Sequence, residues 1–154
     1  MKYNGWMDSY YTTPLGKLRP NRAGVAEKGD STNIGLRGWW RPEDAGTYVP
    51  SISLGYDFST IESQTEDTSA YFAGLTWQDA FTPDDRIGLA FGQPQTRDDE
   101  SVDPFVWEAY YTYQLNDSVT ITPAVFGGKD RFGGENGRKG REHQGAVLET
   151  QFKF

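Results

Sequence analysis

The stretch FVWEAYYTYQLNDSVTITPAVF, residues 105–126, alternates strictly between two kinds of side chain. Phe105, Trp107, Ala109, Tyr111 and Tyr113 fall on one side, and Val106, Glu108, Tyr110, Thr112 and Gln114 on the other. After Asn116-Asp117 the rhythm resumes, with Val119, Ile121, Pro123 and Val125 set against Ser118, Thr120, Thr122 and Ala124. A two-residue period is the mark of a strand with unlike faces, and the Asn-Asp interruption is turn chemistry. The stretch therefore reads as an antiparallel hairpin.

The same beat extends in both directions. It sets Ile87, Leu89 and Phe91 against Gly88, Ala90 and Gly92, and Tyr48, Pro50, Ile52, Leu54, Tyr56 and Phe58 against Val49, Ser51, Ser53, Gly55 and Asp57. Asn33–Trp40, Ser69–Ala80 and Gly145–Phe154 are further candidates, and Tyr3–Thr12 is a weaker first run. The count is about eight strands of ~8–12 residues, the length at which a tilted strand crosses a bilayer. The connections alternate: Pro14–Thr32, Ser59–Thr68, Pro94–Pro104 and Gly127–Gln144 read as long loops, and Arg41–Gly46, Thr82–Asp85 and Asn116-Asp117 as short turns. Outer-membrane barrels alternate in this way, with short periplasmic turns and long external loops. Both chain termini then fall on the periplasmic side.

Aromatic residues sort to the strand ends. Trp40, Tyr48, Trp77, Tyr113 and Phe154 fall near the short turns, and Phe58, Tyr71, Phe91, Phe105 and Phe126 near the long loops. Leu36, Ile52, Leu54, Ala73, Leu75, Leu89, Ala109, Ile121 and Leu148 lie between them. Two rings around an aliphatic belt match the girdles of a lipid-anchored barrel. In a soluble barrel or sandwich the apolar face would instead be core, and the sorting of aromatics would have no cause.

Composition removes other classes. The chain has 154 residues, 15 Lys plus Arg, 22 Asp plus Glu, one His and no Cys, for a formal net charge of −7. Without Cys there is neither a disulfide scaffold nor a thiolate metal site. The acidic balance opposes nucleic acid as a partner, because phosphate binding needs clustered cations. No run approaches the ~20 apolar residues of a spanning helix. Hydrophobic residues make up 36% while aromatics make up 15%, which suits β-structure with a thin apolar surface. The start, MKYNGWMDSYY, is not a secretory signal. The expectation is one transmembrane β-barrel domain or barrel segment over residues 1–154, as a mature chain, fragment or internal piece.

On the side opposite the apolar belt lie Arg37, Asp57, Gln78, Arg86, Glu108, Glu149, Gln151 and Lys153. In a channel such groups line the lumen and set the field that permeating ions feel. Solvation of the wall without selectivity is the plain alternative for each, and both signs of charge are present. Two loops are acidic (Glu62, Glu66, Asp67; Asp98, Asp99, Glu100, Asp103) and two lean basic (Lys17, Arg19, Arg22, Lys28; Lys129, Arg131, Arg138, Lys139, Arg141). The Asp98-Asp99-Glu100 run lacks the spacing of a calcium loop, so no metal site is expected. Basic loops are suited to lipopolysaccharide phosphates or a neighbouring subunit. The only imidazole, His143, sits in a charged Gly-flanked loop, and Gly127-Gly128 and Gly133-Gly134 lack the strand-to-helix context of a phosphate loop. Neither an enzyme nor a cofactor is expected.

The runs GLTWQDAF (Gly74–Phe81), IGLAFGQPQ (Ile87–Gln95), FVWEAYYTYQLNDSVTITPAVF (Phe105–Phe126), VLETQFKF (Val147–Phe154) and NIGLRGWWRPEDAGTYVPSISLGYDFS (Asn33–Ser59) resemble the C-terminal half of cyanobacterial outer-membrane porins. That family is related to the carbohydrate-selective porins, and some members are described as iron-uptake porins. The resemblance implies an outer-membrane location, passive ion and small-solute transport, carbohydrate transport among the family's names, and a trimer. The family also carries an N-terminal S-layer-homology domain and about twice the strands read here. A piece of such a porin or a shortened relative is therefore expected, with a closed structural or adhesive barrel as the alternative. The residues Gly35, Ser51, Ser53, Gly55, Gly74, Thr76, Gly88, Ala90, Gly92, Ser118, Thr120, Thr122 and Ala124 opposite the belt are small. A closed eight-stranded barrel must fill its interior with side chains, and voids forfeit contacts. The strands are therefore expected to form one arc of a wider barrel, completed by further sequence or by other chains.

Overall fold

The structure, a computed structural model, describes residues 31–44, 46, 48–61, 67–97, 101–130 and 140–154. The expected strand Tyr3–Thr12, most of the loop after it, and the charged loop residues at 62–66, 98–100 and 131–139 lie outside the described residues. Seven strands follow one another: β1 (Ser31–Trp40), β2 (Ser51–Ile61), β3 (Thr68–Gln78), β4 (Arg86–Arg97), β5 (Phe105–Asn116), β6 (Val119–Lys129) and β7 (Glu142–Phe152). They form a single antiparallel sheet in sequential order, and the described residues include no helix. No pairing joins β1 to β7 among the described residues, so the sheet is open.

The expected alternation of short turns and long loops is corrected. At one end the connections span ten residues (41–50), seven (79–85) and two (117–118); at the other they span six (62–67), seven (98–104) and twelve (130–141). Only the last two hairpins keep the contrast. Strands β2, β4 and β6 run three to five residues past their apolar stretches, to Ile61, Arg97 and Lys129, pairing residues that read as loop. At the other end β2 starts only at Ser51, just after Pro50, whose nitrogen carries no hydrogen for a ladder.

Two prolines sit inside strands where irregularities accommodate them. Pro94 lies where the β3–β4 register shifts between Ser69 and Tyr71, beyond the last β4–β5 pair, Gly92–Val106. Pro123 pairs with Leu148 on β7, while the β5–β6 ladder is interrupted opposite it, at Tyr111 and Thr112. The Thr122 hydroxyl bonds to that of Thr112 at 3.2 Å across this gap. Both placements follow the rule that a strand proline needs a bulge or a broken ladder.

The β3–β4 turn is organised by one carboxylate. Asp85 is fully buried and accepts hydrogen bonds from the backbone N–H of Ala80 (2.6 Å), Phe81 (3.0 Å) and Thr82 (2.9 Å) and from the Tyr111 hydroxyl (3.0 Å). Asp79 and Asp84 adopt positive φ, 53° and 66°, and the Asp79 carboxylate accepts from the Asp84 N–H at 2.7 Å. Short polar side chains tolerate that region because they bond locally. Burial pushes the Asp85 carboxyl up, but the bonds from Thr82, Tyr111, Phe81 and Ala80 outweigh it and hold it below the ordinary 3.8.

Register separates two faces. One carries Leu36, Trp40, Ile52, Leu54, Tyr56, Tyr71, Ala73, Leu75, Leu89, Phe91, Ala109 and Val125, matched across neighbouring strands. Most of its large side chains are exposed. The other carries Asp57, Ala70, Ala90, Val106, Glu108, Thr122 and Ala124, all buried. The small cluster Ala70, Ala90 and Val106, with Phe72 against it, is on this polar face. A sheet that packed on a core would bury the apolar face instead.

Candidate functional site

Seven of the eight charged and amide residues expected to line a lumen fall on the polar face. Arg37 is opposite Gly55, Asp57 opposite Gly35, Gln78 opposite Arg86, Glu108 opposite Ala90, Glu149 opposite Thr122, and Gln151 opposite Thr120. Lys153 follows β7, and its N–H donates to the Ser118 carbonyl at 2.8 Å.

They form separate groups. On β1 and β2, Arg37 Nη2 donates to both carboxylate oxygens of Asp57 at 2.8 Å. Its Nη1 donates to the carbonyls of Leu36 (2.8 Å) and Tyr56 (3.2 Å), so the guanidinium lies over the ladder between the two strands. The same guanidinium carbon sits 5.8 Å from the centre of the Phe72 ring, within cation–π range. Asp57, only 2% exposed, is thereby charged, buried and paired. On β4 and β5, Arg86 and Glu108 flank Tyr110. Glu149, Gln151 and Lys153 are exposed on and after the edge strand β7.

The polar face also holds large rings. Phe72 lies opposite Gly55, Tyr110 opposite Gly88, and Phe126 opposite Gly145. A Cβ at Gly55 or Gly88 would overlap the facing ring, and one at Gly145 would sit 2.6 Å from Phe126 Cζ. Each ring occupies the space of the cross-strand glycine's missing side chain and covers backbone that would otherwise be bare. The small side chains expected on this face, such as Ser53, Gly74, Ala90 and Thr122, are there, and the three rings stand among them. The placement of Phe126 is corrected: it faces Glu108 across β5 on the polar side and is no part of an apolar girdle. Its apolar neighbours Pro123 and Val125 have odd numbers, and Phe126 is out of phase with them. Alternation already sets Tyr110 on the side of Glu108, whereas Phe72 and Trp39 join the polar face without having been singled out; their partners Gly55 and Ser53 are the signal, visible once register is known.

On the apolar face the remaining aromatics are distributed less sharply than expected. Trp40, Trp77 and Tyr113 do lie near the ends of β1, β3 and β5, and Phe105 and Tyr71 near the opposite ends. Tyr48 lies outside the strands, in the β1–β2 connection, where its carbonyl accepts from Trp77 Nε1 at 3.0 Å. Phe154 lies past the end of β7 and is fully exposed. Phe58 and Phe91 are inside their strands, because β2 and β4 continue beyond them. Phe81, Tyr111 and Tyr113 form a chain of rings with centroids 5.9 and 6.4 Å apart, tied to the turn through the Tyr111–Asp85 bond.

No group of three or more His, Asp or Glu among the described residues is placed to hold a metal ion. No family model, curated protein or solved structure matches this chain.

Proposed function

We propose that this sheet is a stretch of wall in an outer-membrane β-barrel and that its polar face borders a water-filled passage for inorganic ions and small hydrophilic solutes. The observation that carries the reading is the inversion of burial: large apolar side chains are exposed while Asp57 and Glu108 are each only 2% exposed. An exposed apolar face of this extent needs an apolar surrounding, and lipid provides one along strands of 10–12 residues. Among the described residues the outer edges of β1 and β7 have no neighbouring strand, and such edges need partners in lipid, where unpaired backbone does not persist. Further sequence or other copies of the chain, as in a trimer, would supply them. The likeness to cyanobacterial porins favours a channel and an orientation with the short β5–β6 turn in the periplasm.

A second reading, a closed structural or adhesive barrel, draws support from the rings of Phe72, Tyr110 and Phe126, which occupy the polar face. Planar-bilayer recording of the assembled protein separates the two. Stepwise conductance that scales with salt concentration is expected of the passage. Silent insertion of correctly assembled protein would favour the closed barrel.

A further inference from the structure

We infer that the polar face holds a binding site for a small oxyanion, a phosphate or carboxylate group, between the connection-proximal ends of β1, β2, β3 and β4. A cavity of about 250 Å³ opens there, lined by Trp39, Arg41, Ser51, Gln78, Arg86 and Tyr110 among others. Among the described residues, two guanidinium groups line it and no carboxylate does. Among the described residues neither Arg41 nor Arg86 has an ion-pair partner or a hydrogen bond. Arg37 on the same face is by contrast committed to Asp57. In a chain with 22 acidic and 15 basic residues, two uncommitted arginines around one acid-free cavity run against composition.

The chemistry fits an oxyanion. Guanidinium donors form a planar fork that matches two oxygens of a carboxylate or phosphate. The Gln78 amide and the Ser51 hydroxyl add neutral donors to the same cavity. Trp39, 76% exposed although it faces the polar side, gives the cavity an aromatic wall. Glu43 and Asp44 border Arg41 in an adjoining cavity of about 150 Å³ that also includes Ser51 and Gln78. Their charge weakens the hold of Arg41 and favours release, which suits a solute that passes rather than stays. Only that role in permeation rests on the channel reading; the site itself does not.

The test is a calorimetric titration of inorganic phosphate into the full chain, folded in a phosphate-free maltoside detergent at constant ionic strength. Saturable binding is expected. Arg86→Gln and Arg41→Gln should each weaken it about ten-fold, the scale of a lost charge-assisted hydrogen bond. Lys153→Gln removes a cation from the same end of the sheet outside the cavity and should leave binding unchanged. Both arginines are exposed, and an unaltered far-UV circular dichroism spectrum verifies the fold of each variant. Absence of saturable binding, or equal losses in Arg86→Gln and Lys153→Gln, would overturn the site. A second arm adds phosphatidic acid to the micelles. Lipid binding that free phosphate displaces supports a solute site, and lipid binding that free phosphate leaves untouched overturns it. Protein that binds phosphate but passes no current keeps the site and loses the channel; protein that conducts but binds no phosphate does the reverse.

Discussion

Leu54 and Asp57 stand three residues apart on β2 and meet opposite conditions: Leu54 is 54% exposed and Asp57 is 2% exposed. Along one strand, the side chain that prefers oil is uncovered and the one that prefers water is enclosed, paired and hydrogen-bonded. The polar face is therefore held together by specific pairs. Arg37 chelates Asp57, and rings cover glycines on the next strand. The apolar face shows fewer such devices. Gly38, which faces Leu54, has open space where a Cβ would go, and Trp107 over Gly127 is its looser counterpart of the ring–glycine pairs. What differs between the faces is how much each position depends on its cross-strand partner, and substitutions measure that dependence.

The largest difference is expected at glycines. Gly88→Val places a branched side chain inside the Tyr110 ring and should cost about 2–3 kcal/mol of folding stability, as overpacking does. Gly38→Val, on the apolar face, should change stability by less than about 0.5 kcal/mol. Denaturant unfolding of detergent- or vesicle-folded protein reads both. Adding Tyr110→Ala to Gly88→Val should recover part of the loss. Equal costs at Gly38 and Gly88 would remove the distinction between the faces.

A smaller effect is expected at the ion pair. Arg37→Ala leaves the enclosed Asp57 carboxylate without its counter-charge and should cost about 1–2 kcal/mol. That is less than a fully buried pair, because the Arg37 side chain is 42% exposed and screened. Arg37→Ala combined with Asp57→Asn should be more stable than Arg37→Ala alone. A double variant no better than the single one would mean that Asp57 is held by other groups.

The smallest is at the β3–β4 turn, which belongs to neither face. Asp85→Asn keeps the shape but loses one of two acceptor oxygens, and should cost about 1 kcal/mol, the scale of a lost cap. The folded carboxyl lies below its ordinary 3.8, so its stabilisation is fully present above that pH and is lost as pH falls through the lowered folded value. Unfolding midpoints measured from neutral pH down to about pH 3 should show a steeper decline for the parent chain than for Asp85→Asn. Parallel curves would show that the turn carboxylate contributes no pH dependence.

Period and turn chemistry made the β5–β6 hairpin legible almost to the residue, because Asn116-Asp117 interrupts two clean alternations. The far ends of β2 and β4 were not legible. Ser59 and Thr60, or Pro94 through Thr96, read as loop from their polar and Pro-containing sequence, and they fall within strands that pair with β1 or β3. The assignment of faces followed from alternation for Arg37, Asp57, Gln78, Arg86 and Glu108, and failed at Phe126, where apolar character was taken in place of phase. The ring–glycine pairs and the acid-free cavity were hidden for one reason. Each joins residues 17 or more positions apart, such as Gly55 with Phe72 and Arg41 with Arg86, and only register brings them together.

The central claim is that lipid covers the apolar face and water the polar one, and cysteine scanning of β2 in a native-free background tests it most directly, since the chain has no Cys. Single substitutions at Ser51, Ile52, Ser53 and Leu54 are reconstituted in vesicles and exposed to a membrane-impermeant maleimide. The account predicts fast labelling at 51 and 53 and slow labelling at 52 and 54, with brominated lipids quenching a fluorophore placed at 52 or 54 only. Fast labelling at 52 and 54, with 51 and 53 protected, would contradict it and make the apolar face one that packs against protein.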